Sequence, residues 1–213
     1  YRVGEVSQAL LQIPEIEAVE GWGGAAAEIV DEEGEVISKF SISAPPQDTK
    51  LLNSEFVAGR WLLPNEEKSI VVSDSVYNFY PELKPGDMLN IKLSGKRTEK
   101  WTVVGIFRFV DMLGDPLGYA TFDFLSSKTH LPNQALSYRV SSTALQDLAS
   151  QHALTQRIDQ QLTERNFALK SVQSGTVLRK NASQGMNTLI IFLLIMAVLT
   201  AFVGSIGLTG TMS

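Results

Sequence analysis

From Leu189 to Leu208 the chain runs for 20 residues without a charge, and the last charged residue before that run is Lys180. Few features restrict a fold so strongly. At 1.5 Å of rise per residue, about 20 helical residues cross the roughly 30 Å hydrocarbon core of a bilayer. A helix buried in a water-soluble core normally keeps a polar face, and this one has none. The run therefore predicts a transmembrane helix, with "GLTGTMS" as the segment that leaves the membrane.

The same run carries a row of small residues. Ala197, Ala201, Ser205 and Thr209 fall four apart, and Met196, Thr200 and Gly204 form an adjacent row. Small side chains at that spacing let a second helix approach closely in lipid, so Ala197, Ala201, Gly204, Ser205 and Thr209 form the expected packing face.

The preceding 180 or so residues read quite differently. The whole chain has 213 residues, is 44% hydrophobic and 19% charged, and carries a net charge of −5. That is globular composition with no basic excess to neutralise phosphates, which argues against nucleic acid as a partner. With no cysteine, thiolate nucleophiles, zinc–thiolate sites and disulfides are excluded. The chain opens at "YRVGEVSQAL" with neither a signal peptide nor an initiator Met, as expected of a segment of a longer protein.

Val3, Val6, Leu10 and Ile13 repeat at helical spacing and Pro14 ends the pattern. "EIEAVEGW" alternates like a strand, and "AAAEIVDEEGEVISKFSISAPP" predicts a hairpin turning at Gly34, with Val36, Ser38, Phe40 and Ile42 on one face. From about Asn53 the texture is that of short strands separated by turns: "SIVVS", "MLNIKL" and "KWTVVGIF", with Ser73 capping a short helix through Tyr80. "GDPLGYATFDFL" predicts a loop and a last strand. "ALSYRVSS" predicts a strand, the segment from Thr143 to Asn166 a helix with Leu145, Leu148, Leu154, Ile158 and Leu162 near one side, and "FALKSVQS" another strand. The α-β-β start and the β-α-β end together predict one α+β sandwich, residues 1–53 and 135–175, split by a β-rich insertion over 54–134. Residues 176–213 form a stalk and the membrane helix.

Candidate chemistry is sparse. There is no phosphate-binding Gly-x-x-x-x-Gly-Lys and no His-Glu-x-x-His, and "VGSIG" does not have the spacing of a nucleophile elbow. His130 and His152 stand alone, each without a second ligand at metal spacing. The acidic cluster Asp31, Glu32, Glu33 reads as a solvated turn. Asp111 and Asp115 flank a Gly- and Pro-containing loop that also carries Met112, Leu113 and Leu117. Those three apolar side chains mark a candidate contact loop, with packing back onto the β-rich unit as the alternative.

"AGRWLLPNEEKSIVVSDSVYNFY…KPGDMLNIKLSGKRTEKWTVVGIF", followed by a long helix and "LLIMAVLTAFVGSIGLTGTMS", resembles the MacB/FtsX-type ABC transporter permeases over nearly the whole chain. The resemblance implies a porter-like α+β lobe interrupted by a small β-rich lobe, the architecture of a MacB-like periplasmic core domain. It further implies a first membrane helix just before Tyr1 and a second from Asn187 to Thr211, running inward. Residues 1 to about 185 would lie outside the cell (inner) membrane, which leaves Arg179 and Lys180 on the outer side, against the positive-inside tendency.

The implied partners are an ABC ATPase, a second permease copy or paralogue, and a periplasmic adaptor. No cofactor is expected in this chain, ATP and magnesium belonging to the partner ATPase. The implied function is coupling of ATP hydrolysis to extracytoplasmic domain motion, for export or mechanotransmission, with no enzyme activity in the chain. Two other classes share parts of the pattern. A membrane-tethered extracytoplasmic sensor has the same two-helix layout, whereas an anchored enzyme needs an assembled site that the sequence does not offer.

Overall fold

The structure is a computed structural model that describes residues 1–109, 116–142, 147–168, 170–177 and 190–200. It divides into two compact units, Tyr1–Lys170 and Ser171–Ser213.

The first unit is organised by one long strand, β1 (Ala18–Val30). The sequence suggests a strand and then a hairpin arm here, but the backbone continues from one into the other. Its last eight residues pair antiparallel with β2 (Val36–Ala44), from Gly23 opposite Ala44 to Val30 opposite Val36. The acidic turn between them is held by Asp31, whose Oδ1 accepts from the Glu33 and Glu35 amides at 2.9 and 2.8 Å. Phe40 and Ile42 are buried and Lys39 and Ser41 exposed, as the alternation requires.

Six strands close into a ring. β2 pairs in parallel with β7 (Leu117–Tyr119), and β7 pairs with β4 (Ser69–Ser73). β4 runs parallel to β6 (Thr98–Phe107), β6 is antiparallel to β5 (Met88–Leu93), and β5 returns to β1 at Ala27–Val30. A short β3 (Phe56–Gly59) adds to the far end of β6. The inward-facing residues Ile29, Ile42, Ile70, Val72, Ile91, Trp101 and Ile106 form the main core. A 3-10 turn (Asp74–Asn78) and the helix α2 (Phe122–Thr129) contribute Val76, Phe124 and Leu125 to that core.

Two local expectations change here. "TFDFL" is the start of α2, not a strand; the last strand of this region is only the three residues of β7. Ser73 does precede a helical turn, but its hydroxyl does not cap it. It pairs with the Ser75 hydroxyl at 2.6 Å and accepts from the Leu117 amide at 2.9 Å.

The first half of β1 belongs to a different arrangement. Ala18–Trp22 pair with β8 (Ser137–Ser141); α1 (Val3–Leu10) packs on β1, and α3 (Leu148–Glu164) packs against α1. Val6, Ala9 and Leu10 from α1 meet Leu154, Ile158 and Leu162 from α3 in a small apolar layer, all of them buried. Leu148 instead faces solvent, because the helix begins there. Asp147 is its N-cap, accepting from the Ser150 amide at 2.6 Å. Leu145 lies outside the described residues.

The predicted strand "FALKSVQS" does not form among the described residues 167, 168 and 170–174. Phe167 packs edge-on against Tyr1, ring centres 4.9 Å apart. The Tyr1 hydroxyl accepts from the Ala168 amide at 2.8 Å and donates to the Asn166 carbonyl at 3.4 Å.

In the second unit, residues 175–177 are helical and the Ser174 hydroxyl accepts from the Val177 amide at 3.2 Å, a start one residue before Thr176. Residues 190–200 are helical and exposed on every side. Among the described residues no helix is long and apolar enough to cross a membrane, since only 190–200 of the long uncharged run are described.

Candidate functional site

Past β2 the chain makes a long excursion, from Pro45 to Glu55 and on through β3 to Asn65, before returning to the ring. Two carboxylates hold this excursion down. Glu20, on β1, accepts from the Thr49 hydroxyl at 2.6 Å, the Lys50 amide at 2.8 Å and the Trp22 indole at 3.0 Å. Glu66 accepts from both ends of the Arg60 guanidinium, at 2.6 and 3.2 Å, and from the Leu63 amide at 2.9 Å. Its own backbone carbonyl accepts from the Thr121 hydroxyl at 2.8 Å, which ties the excursion to the start of α2.

The electrostatics follow from those contacts. Burial alone would raise the Glu20 carboxyl, but donation from Thr49, Lys50 and Trp22 outweighs it and brings the group below its ordinary range. Donation from Arg60 lowers Glu66, more than burial raises it. Both groups therefore stay charged at neutral pH and act as fixed anchors.

Glycine makes the close approach possible at one point. Gly59 has φ of 77°, and a Cβ there would run into the Val104 carbonyl of β6. The next residue donates its amide to that same Val104 carbonyl at 3.0 Å. The tight turn lays Trp61 onto Tyr119, ring centres 5.2 Å apart. Tyr119 also meets Phe107 at 5.1 Å and Trp22 at 6.2 Å, and the Arg139 guanidinium lies 3.5 Å from the Trp22 ring centre. This aromatic layer covers the outer face of the ring, opposite the main core, and its burial raises the Tyr119 phenol.

Between the excursion, α1 and the start of α2 lies a cavity of about 240 Å³. Pro45, Trp61, Leu63, Pro64 and Phe122 supply apolar walls, with Gln47, Thr121 and Asn133 at its polar edge. Asp123 is the one titratable side chain lining it among the described residues. No nucleophile stands beside a base there, so the arrangement suits docking of an apolar segment better than bond-making. Among the described residues no group of three His, Asp or Glu could hold a metal. His130 ends α2 in a left-handed conformation, and His152 sits 3.2 Å from Gln156.

Of the residues singled out from sequence, Leu117 lies in β7, half-buried against the aromatic layer. Met112 and Leu113 lie outside the described residues, as do Ala201, Gly204, Ser205 and Thr209. Ala197 stands in the exposed helix 190–200, near Thr200, whose hydroxyl donates to the Met196 carbonyl at 2.8 Å. Sequence reasoning passed over Glu20, Glu66 and Trp61, and took Gly59-Arg60 only as part of a family resemblance. The separation of Glu20 from Thr49 hides that pairing, and only the Glu-x-Trp step at Glu20 hinted at a buried polar anchor.

The mixed α/β fold, a strand ring joined to a helix-covered ribbon, is also found in the extracytoplasmic regions of two other solved proteins. It superimposes on the extracellular domain of the noncanonic ABC-type transporter YknZ from Gram-positive bacteria with a TM-score of 0.55 and 12% identity, covering 79% of this chain and 86% of that one. It matches the periplasmic region of MacB from Actinobacillus actinomycetemcomitans with a TM-score of 0.50 and 12% identity, over 75% of this chain and 74% of that one. No protein-family model and no curated protein matches the sequence. Identities this low establish the fold.

Proposed function

We propose that the chain is the extracytoplasmic domain and one membrane helix of a permease subunit in an ABC transporter of the MacB/FtsX type. The observation that carries this reading is the likeness to the YknZ extracellular domain, which extends over 86% of that chain. The exposed apolar helix 190–200 supports it, because water does not tolerate such a surface and lipid does.

On this reading the protein performs no chemistry of its own. A partner ATPase binds ATP and magnesium in the cytoplasm, and the permease, paired with a second copy or a paralogue, passes that motion to the domain outside the cell membrane. Residues 1–53 and 135–175 act as the porter-like lobe and residues 54–134 as the β-rich lobe, with β1 and β2 shared between them through the ring. The 240 Å³ cavity beside the anchored excursion is where a periplasmic adaptor would dock. Ala197, Ala201, Gly204, Ser205 and Thr209 form the face on which the membrane helix meets another. Gly204→Leu or Ala201→Leu then weakens dimer recovery in detergent by an order of magnitude, and unchanged cross-linking yield in both variants refutes that face.

The deciding experiment is purification of the full-length protein from detergent-solubilised membranes, with copurifying proteins identified by mass. A stoichiometric ATPase bearing a phosphate-binding loop is the expected partner. A signalling protein in its place would instead identify a tethered sensor.

A further inference from the structure

We propose that the cavity between the β5–β6 turn and the last turn of α2 binds a small oxyanion carried on an apolar body. This cavity, of about 270 Å³, is separate from the one beside the excursion. Its floor is apolar: Ile91, Leu93 and Trp101 line it, and all three belong to the ring core. Its rim is cationic, with Lys96 and Arg97 on the turn and Lys128 on α2.

The charge there runs against that of the whole chain. Three permanent cations line the cavity against one carboxylate, Glu99, in a protein of net charge −5. Glu99 is shared, accepting from Lys128 at 2.6 Å and lying 3.6 Å from Lys68. It neutralises at most one of those two lysines. Neither Lys96 nor Arg97 has an ion-pair partner among the described residues. Gly95, at φ of 70°, and the Lys96 amide, which donates to the Leu93 carbonyl at 2.9 Å, fix the turn that carries both.

Unpaired cations over an apolar floor recognise one kind of ligand. The anion takes up the charge-assisted hydrogen bonds of the rim, and the body fills the volume between the rim and the apolar floor. A bare anion would leave most of the cavity unfilled, and a neutral apolar molecule would leave the cations unanswered. The size of the cavity limits the body to about one or two fused rings or a short acyl chain. This ligand assignment stands whether or not the chain works with an ATPase.

The test is calorimetric titration of the full chain in lipid nanodiscs with 1-naphthoate, with empty nanodiscs as the blank. Saturable binding is expected, weakened at least about tenfold in the double variant Lys96→Gln/Arg97→Gln, since each lost charged contact is worth about that factor. Both positions are exposed, so the variant keeps its fold, checked by circular dichroism. Naphthalene-1-carboxamide, which has the body without the charge, is expected to bind at least about tenfold more weakly. Absence of naphthoate binding, or equal binding to the double variant or of the neutral amide, overturns the proposal. Inorganic phosphate binding as tightly as naphthoate overturns the apolar half of it.

Discussion

β1 serves two regions that are stabilised in different ways. Past Gly23 it is part of a closed ring, whose core is filled by large side chains from every strand and from α2. Up to Trp22 it is half of a two-stranded ribbon, covered by the neighbouring helix α1, which packs in turn against α3 from the far end of the unit. A closed ring leaves few strand edges free, whereas a two-stranded ribbon is marginal without its covering. The ring should therefore behave as the rigid part and the ribbon as the part that opens first.

The largest test of this contrast is in the ring. Trp101 is 1% exposed and packs edge-on against Phe124 at 5.1 Å. Trp101→Ala is expected to cost about 3–5 kcal/mol in urea unfolding and to lower protection from hydrogen exchange throughout the Tyr1–Lys170 unit. Leu162, 2% exposed in the ribbon layer, comes next. Leu162→Ala is expected to cost about 2–3 kcal/mol, with faster exchange confined to α1, α3 and β8. Uniform loss of protection in that variant would break the distinction between the regions.

The smallest effect sharpens the boundary between them. Glu20 sits on the ribbon half of β1 and anchors the excursion beside the ring. Glu20→Gln is expected to cost about 1 kcal/mol at neutral pH by weakening charge-assisted hydrogen bonds to Thr49, Lys50 and Trp22. Because the folded carboxyl lies below its ordinary range, the wild-type advantage is full above that range and is lost as pH falls through the lower, folded value. Urea midpoints of both proteins across acid pH would show the curves converging on acidification. Parallel curves would mean that the charge of Glu20 contributes nothing.

What the sequence disclosed followed its local patterns. The alternation of Ser38, Phe40 and Ile42 specified β2 and its buried face, although Val36 at its start is exposed, and the spacing of Leu154, Ile158 and Leu162 specified the inner side of α3. Ring closure was invisible, because it depends on the parallel pairings of β2 with β7 and β4 with β6, and no local pattern encodes a parallel partner. α2 was read as a strand because "FDFL" is a short aromatic run whose first turn buries Phe124 and Leu125 into the ring. Residues 167–174 looked like a strand, but Phe167 has Tyr1 as its packing partner. The anchored excursion was the least legible part. Its pairs, Glu20 with Thr49 and Arg60 with Glu66, are ordinary surface residues until the fold brings them together.

The contact between Tyr1 and the 166–168 segment has one more consequence. A domain whose chain enters and leaves at the same corner can be spliced into a host polypeptide without prising apart the segments on either side. A domain whose two ends are clasped together in this way can vary its interior without moving the point at which they meet.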